Sequence, residues 1–352
     1  MGTRMNTYND PVPDKDMLRT CLSDGFPREE ICKQAEEICC RICGRGVLVR
    51  GIVEFSSYCR NTCLYCGLRS ANTHLRRYRM SGEQVLAAVK LVHDHGIRTV
   101  VLQSGEDPSL SPEWLARLVG QIKTRFDMAV TLSVGEWPRG YYKMWREAGA
   151  DRFLLKIETT DEALYTRLHP GMSYKNRLLC LNQLFELGYQ TGSGIISGLP
   201  GQTIGSIASD ILFLHKHDFD MISIGPFIPH PATPLGQYPR GTVDLACRAL
   251  ALTRILTRDA HMPATTALGA GKHDLRSHGL LAGANVIMPN FTPSCCAELY
   301  DIYPHSPREG NGDQEELARA AFAAEAAGRS LDFSRGDSLK KIYTAEKEHS
   351  YD

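Results

Sequence analysis

From residue 48 to residue 304 the chain alternates short β-rich or apolar runs with helical patterns, and this rhythm leads to a βα-repeat fold. The runs with strand character are 48–55, 99–103, 129–134, 152–155, 191–196, 221–224, 262–265 and 285–288. Eight parallel strands, each followed by a helix, close a barrel, so the sequence predicts an α/β fold of the (β/α)8 TIM type. One intervening helix shows the local logic. Ser81 and Gln84 form a capping-box pattern, Val85, Ala88, Val89 and Val92 make an apolar stripe, and Gly96 supplies a stop.

A length of 352 residues suits one large barrel or two ordinary domains, and a hydrophobic content of 43% can fill the core of either. The organisation read from the pattern is a helical extension over 1–47, the barrel over 48–304, and a C-terminal helix with a polar tail over 305–352. Pro27 to Cys43 reads as a helix opened by proline and closed by Gly44. Gln314 to Ala327 reads as an alanine-rich helix, and residues 341–352 are expected to be mobile. The 40 basic and 40 acidic residues cancel, so no global field favours nucleic acid or an anionic membrane, and a small-molecule substrate is expected. No apolar run approaches the roughly 18 residues of a membrane span, and Met1 to Asp14 lacks the apolar stretch of a signal peptide. A cytoplasmic protein is expected.

Reducing conditions make disulfides a poor explanation for the 12 cysteines, which leaves metal ligation or burial. Cys21, Cys180 and Cys247 stand alone in helical segments and read as small buried hydrophobes. Cys32, Cys39 and Cys43 share one helical face near Ile42 and read as a buried stripe; with Cys40 they form the alternative of an auxiliary metal site. Cys295 and Cys296 lie near the expected cavity mouth, where a reactive thiol or a spare metal site is the weaker alternative.

In such barrels the reactive groups gather on loops leaving the C-terminal ends of the strands. Unusual residues stand there after nearly every strand, beginning with Cys59-Arg60-Asn61-Thr62-Cys63-Leu64-Tyr65-Cys66 after the first. Ser104-Gly105-Glu106-Asp107 follows the second, Gly135-Glu136-Trp137-Pro138 the third, Glu158-Thr159-Thr160 the fourth and Gly198 to Thr203 the fifth. Three thiolates spaced three and two residues apart can ligate three corners of an iron–sulfur cubane, leaving the fourth iron open to a ligand. The competing reading is structural zinc, which normally takes four protein ligands, and this loop has no histidine or fourth cysteine. Ser104, Gly105 and Glu106 suit an ammonium group, against the alternative of an ordinary βα turn; Arg177 could present its fork to a carboxylate or simply face solvent.

The Cys-x3-Cys-x2-Cys loop, with Tyr65 before its last cysteine, resembles the signature of the radical S-adenosylmethionine (SAM) superfamily. The resemblance implies a 4Fe–4S cluster on Cys59, Cys63 and Cys66, with SAM chelating the open iron. Reductive cleavage of SAM then gives a 5′-deoxyadenosyl radical, and a ferredoxin or flavodoxin supplies the electron. Ser104-Gly105-Glu106 is similar to the family's Gly-Gly-Glu element for the methionine amino group.

Longer stretches resemble the HydE maturases, which help build the diiron site of FeFe-hydrogenase. They include Arg76 to Met80, Val101 to Pro108, Ile224 to Pro231, Pro263 to Ala267 and Gly283 to Asn290. This closer resemblance implies that Glu158 and Arg177 contact SAM and that Met221 lies beside it. It further implies that Thr131, Thr265, Thr266, Met288, Tyr300 and Tyr303 line the cavity for a cysteine-derived iron–carbonyl–cyanide precursor, with other hydrogenase maturases as partners. Lys156-Ile157 stands where an Arg-His pair is expected, at a position read as facing the barrel mouth, so Lys156 is taken as a substrate-side residue of altered chemistry. The tail has no cysteine after Cys296, so it offers no thiolate for the C-terminal auxiliary cluster of some relatives. The alternatives are methylornithine synthase, a biotin-synthase-like enzyme, and a non-enzymatic iron–sulfur scaffold. The last would leave the loops at Ser104 to Asp107 and Gly198 to Thr203 without a purpose.

Overall fold

In the computed structural model, residues 13–270, 273–302, 304 and 312–340 are described. The described residues form nine strands: β1 (Gly46–Val49), β2 (Gly51–Ser56), β3 (Thr99–Ser104), β4 (Ala129–Ser133), β5 (Arg152–Leu154), β6 (Gln190–Ser197), β7 (Met221–Pro226), β8 (Val286–Ile287) and β9 (Ser330–Asp332). β2 to β7 pair in sequence order as a six-stranded parallel sheet, and β8, β1 and β9 form a second parallel set. β1 and β2 are one strand interrupted at Arg50, and they join the two sets on one side. Leu48, Arg50 and Ile52 donate their backbone N–H groups to Asn285, Ile287 and Pro289. On the other side the segment 261–264 bridges β7 to β8. His261 N–H donates to Asp220 O, Ile222 N–H to His261 O, and Ala264 N–H to Val286 O. Backbone hydrogen bonds therefore run right round a ring of eight strand positions, the arrangement read from the sequence. The seventh, expected over 262–265, is held by isolated bridges, because its chain leaves the ring for the short helix Thr266–Gly269.

Helices cover the ring because each presents an apolar stripe to it. Ser81 caps Gly82–Asp94 with both bonds of a capping box, and Val85, Ala88, Val89 and Val92 are buried. Behind β5 an aromatic group of Tyr142, Trp145, Phe153 and Tyr189, with ring centroids 5.1 to 6.4 Å apart, seals Arg139–Glu147 against the sheet. Helix Arg28–Cys43 packs on Val243–Thr257, and Gly44 ends it with φ +81°. A second N-terminal helix, Lys15–Leu22, capped by Asp14, did not stand out in the sequence because it is only eight residues long. Cys21, Cys180 and Cys247 are buried as expected, whereas in the Cys32, Cys39 and Cys43 stripe only Cys39 is fully enclosed.

The reading of everything beyond the C-terminal helix as a polar tail is corrected. After helix Gly312–Ala326 the chain forms β9 alongside β1 and then crosses the N-terminal end of the barrel, the foot. There Arg152, fully buried, donates to the backbone oxygens of Arg335 and Gly336, to Asp337, to Thr99 and to Gln190 at 2.8 to 3.0 Å. Lys340 closes the strap by pairing with Asp218 and Asp259. Polar residues can run under a barrel because each finds a charged or backbone partner there. The mobility expected of 341–352 lies outside the described residues.

Candidate active site

The cysteine loop leaves β2 at Ser56 and passes over the C-terminal ends of the strands. Its path is set by backbone contacts: Arg60 N–H donates to Glu106 O, Leu64 N–H to Leu168 O, and Gly67 N–H to Ile302 O. Gly105 is the position that lets it sit so low, since a Cβ there would lie 2.3 Å from Tyr58 O and 2.7 Å from Cys59 Cβ. Arg77 stitches the return of the loop by donating to the backbone oxygens of Ser57, Leu68, Arg69 and Asn72. The Tyr65 hydroxyl lies 2.8 Å from His169 Nε2, while His169 Nδ1 lies 2.8 Å from the Tyr165 carbonyl. A carbonyl can only accept, so Nδ1 carries the proton and Nε2 accepts from Tyr65. Burial pushes the His169 pKa down to about 4, which keeps this neutral form in place.

Burial raises the pKa values of all three thiols, to about 12 for Cys66, and for Cys63 and Cys66 the neighbouring thiolates add to the rise. Such a set suits a cationic iron–sulfur core, which stabilises the thiolate form that burial disfavours. Among the described residues no group of three His, Cys, Asp or Glu side chains converges as on a single metal ion. The fit to a cubane rests on the donor set and on the depth that Gly105 allows.

Beside the loop lies a chain of charges. Arg60 Nε donates to Glu106 Oε2 at 3.1 Å, Glu136 N–H donates to Glu106 Oε1 at 3.0 Å, and Arg177 Nε donates to Glu136 Oε1 at 2.5 Å. Gly135 has φ +83°, and a Cβ there would collide with the Glu106 side chain, so the turn after β4 requires glycine. Arg177 also donates to the Lys156 carbonyl, and Lys156 Nζ lies 2.9 Å from Glu158 Oε2. Glu158 has φ +66°, a left-handed conformation that costs a non-glycine residue about 1–3 kcal/mol. The flanking backbone holds it there: Glu158 N–H donates to Gly194 O, Ile196 N–H donates to Glu158 O, and Asp210 accepts from Thr160 N–H and Oγ1 at 2.6 Å each.

The sequence-derived residues thus divide into groups. Cys59, Cys63, Cys66, Tyr65, Ser104, Gly105, Glu106, Lys156, Glu158 and Arg177 gather at the C-terminal end. Met221 does not join them, correcting its expected place beside SAM. It opens β7 at the opposite end of that strand, where its Sδ accepts from Arg50 Nη1 at 3.0 Å. There Thr131, Met221 and Met288 line a cavity of about 30 Å³ together with Arg50 and His261. Thr131 Oγ1, Thr265 Oγ1 and Arg50 Nε are buried without partners. Tyr300 is buried near Glu54 and Gln103, Thr266 is exposed, and Tyr303 lies outside the described residues. Ile157 is not at the mouth as expected. Side chains alternate along an extended segment, so while Lys156 and Glu158 share one side, Ile157 is fully buried in the main apolar core. Cys295 is exposed and lies 3.8 Å from Cys296, sulfur to sulfur. Sequence reasoning did not single out Glu136, His169, Arg50 or Asp210. The Gly135 to Pro138 turn marked the position of Glu136, but its partner Arg177 is 41 residues away.

Comparison with known proteins adds the following. The radical SAM superfamily model matches residues 53–214. The [FeFe] hydrogenase maturase subunit HydE of Thermotoga maritima is 50% identical over 293 residues, covering 82% of this chain and 84% of that protein. The 3-methylornithine synthase of Methanosarcina acetivorans is 30% identical over 69% of each chain. The crystal structure of methylornithine synthase PylB superposes with a TM-score of 0.78 at 24% identity, over 91% of this chain and 94% of that one. Among the described residues no helix is long and apolar enough to cross a membrane.

Proposed function

This chain belongs to the radical SAM superfamily, and from that premise we propose that it is a maturase of the HydE kind, acting on a cysteine-derived iron–carbonyl–cyanide precursor of the FeFe-hydrogenase active site. The observation that carries the reading is the 50% identity to a HydE protein over more than four fifths of both chains. In this reading Cys59, Cys63 and Cys66 hold one 4Fe–4S cluster, which in this superfamily supplies the electron that cleaves SAM to a 5′-deoxyadenosyl radical. Tyr65 and His169 fix the loop's height. Glu106, Glu158 and Arg177 bind the polar groups of SAM, and Glu136 orients Arg177 for that task. Thr131, Thr265 and Arg50 offer unspent hydrogen-bonding capacity to an anionic substrate, and Met288 supplies an apolar wall. Met221 belongs with this wall, and Lys156 bears on the substrate through Glu158.

The test is in vitro activation of apo-hydrogenase by the anaerobically reconstituted protein with its partner maturases. Activation that depends on this protein and on SAM supports the reading. SAM cleavage without activation, accompanied by formation of 3-methylornithine, would overturn it in favour of the second relative's activity. Because Ile157 packs in the core, the substrate-side departure is tested by Lys156→Arg alone. If the lysine is what departs from the expected pattern, the arginine variant activates more hydrogenase per turnover.

A further inference from the structure

Gly67, the residue that follows the last cysteine of the loop, is enclosed by groups from distant parts of the chain. Its N–H donates to Ile302 O, and its own carbonyl accepts from the Asn72 side-chain amide at 2.9 Å. A Cβ at Gly67 would lie 1.9 Å from Asp301 O and 2.8 Å from both Nε2 and Cδ2 of His230, so only glycine lets these groups pack so close. His230 belongs to the loop leaving β7, and Asp301 to the segment beyond β8. Both therefore converge on the loop that leaves β2.

His230 is buried. Ala232 N–H lies 3.1 Å from its Nδ1, and Asp301 Oδ2 lies 2.8 Å from its Nε2. A backbone N–H can only donate, so Nδ1 accepts and the proton sits on Nε2, which donates to Asp301. The loop that carries the imidazole is itself fixed. Thr233 donates to His230 O through both its N–H and its Oγ1, and Leu235 N–H donates to Leu64 O. Leu235 also packs with Leu64 and Tyr65 in a small apolar cluster separate from the main core. Imidazole and carboxylate thus form a clamp on the turn from Cys66 to Arg69, which is closed by Arg69 N–H donating to Cys66 O. Within that turn Arg77 donates to Leu68 O at 2.8 Å, and Leu68 N–H is directed at the Cys66 sulfur.

We infer that His230 and Asp301 are positioning residues for the iron–sulfur cluster: their hydrogen bond holds the turn after Cys66 so that Leu68 N–H stays on the Cys66 sulfur, which tunes how readily the cluster takes an electron. The inference rests on the reading that Cys66 is a cluster ligand. Hydrogen bonds to the sulfurs of a cluster favour its reduced, more negative state and raise its reduction potential. Neither residue touches a reacting atom; each acts through Gly67.

The experiment uses the anaerobically reconstituted full chain and compares Asp301→Ala with Asp301→Asn. Both variants remove the same negative charge, and only asparagine keeps an oxygen to which His230 Nε2 can donate. Iron content is expected to be full in both. At a fixed solution potential, the ratio of reduced to oxidised cluster is read by electron paramagnetic resonance. It should be about three- to tenfold lower in Asp301→Ala than in Asp301→Asn, a downward shift of about 30–60 mV. His230→Phe keeps a ring against Gly67 and leaves Asp301 charged, and it should shift the potential downward relative to wild type. If Asp301→Ala alone fails to hold iron, the clamp is needed to seat Cys66 as well, and the inference stands. An equal or higher ratio in Asp301→Ala, or a wild-type potential and spectrum in His230→Phe, would overturn it even where the melting temperature falls. A wild type that binds no cluster would instead remove the reading of the loop beneath it.

Discussion

Both ends of this barrel bury charged groups in ion pairs, and they differ in what stands beside those pairs. At the foot, Arg152 spends its guanidinium on two carbonyls, two side-chain oxygens and a carboxylate, and Arg335 and Lys340 bind Asp151, Asp218 and Asp259. At the C-terminal end the three cysteines are half-buried, Glu158 sits in a strained conformation, and Thr265 Oγ1 has no partner. A buried polar group that is satisfied rigidifies a fold, and one that is not costs stability unless a ligand completes it. The difference is one of degree: the strap at the foot is saturated and holds the ring shut, the barrel interior above it keeps Arg50 Nε and Thr131 Oγ1 unpartnered, and the C-terminal end adds the thiols and the strained Glu158 for a ligand to complete.

The two buried histidines repeat the contrast. His261 lies 2.8 Å by Nε2 from Asp337 O and 3.0 Å by Nδ1 from the Asn285 amide, so its proton is on Nε2 and it ties the strap to the ring. His169 carries its proton on Nδ1 and lends Nε2 to Tyr65 in the cysteine loop. Burial lowers both, to about 3 and about 4. Their opposite tautomers follow from which nitrogen meets a carbonyl.

The largest expected effect breaks one end only. Cys63→Ala should lose nearly all cluster iron on anaerobic reconstitution while its melting temperature as apoprotein stays within a few degrees of wild type. A full iron complement would contradict the assignment of the loop. Next is Arg152→Ala, which removes five hydrogen bonds and a fully buried side chain from the foot, although each acceptor keeps another partner, and should cost about 1.5–3 kcal/mol in urea unfolding. A cost under about 1 kcal/mol would mean the strap contributes little. Glu158→Gln should weaken SAM binding about tenfold or more with iron content unchanged, and Asp210→Asn should do so by a smaller factor, because it holds the turn that follows Glu158. Wild-type affinity in both variants would remove these residues from the site.

The smallest effect is a slope. The unfolded state takes up a proton at His169 near pH 6.5 and the folded state only near 4, so His169 makes stability fall as pH drops between those values. Asp210 acts in the opposite sense, because burial raises it from 3.8 to about 6 and the folded state binds more protons in that window. His169→Gln should therefore remove a downward slope worth roughly 1–3 kcal/mol and expose the Asp210 contribution. An unchanged slope would mean His169 titrates in the fold as it does in solution.

What was legible in the sequence follows the same division. The eight strands could be read because ladder positions are β-rich and each ends at a marked loop, and the cysteine spacing named its chemistry. The foot could not be read. Ser330-Leu331-Asp332 has no strand pattern, and it pairs because Gly46 to Leu48 offers an open edge and Arg329 anchors the turn on Gly44, Gly46 and Ala284 oxygens. Glu136 was missed because its partner lies far along the chain. Met221 and Ile157 were misplaced because the position of a strand residue depends on which end of the strand it occupies and on which face its side chain leaves. A resemblance in sequence conveys neither reliably.

The most direct test sets the two ends side by side: release of 5′-deoxyadenosine from SAM under dithionite by reconstituted Cys63→Ala and Arg152→Ala, below the melting temperature of the weaker protein. The account predicts none from Cys63→Ala and wild-type release per folded molecule from Arg152→Ala. Release that survives in Cys63→Ala, or that vanishes in folded Arg152→Ala, would contradict it.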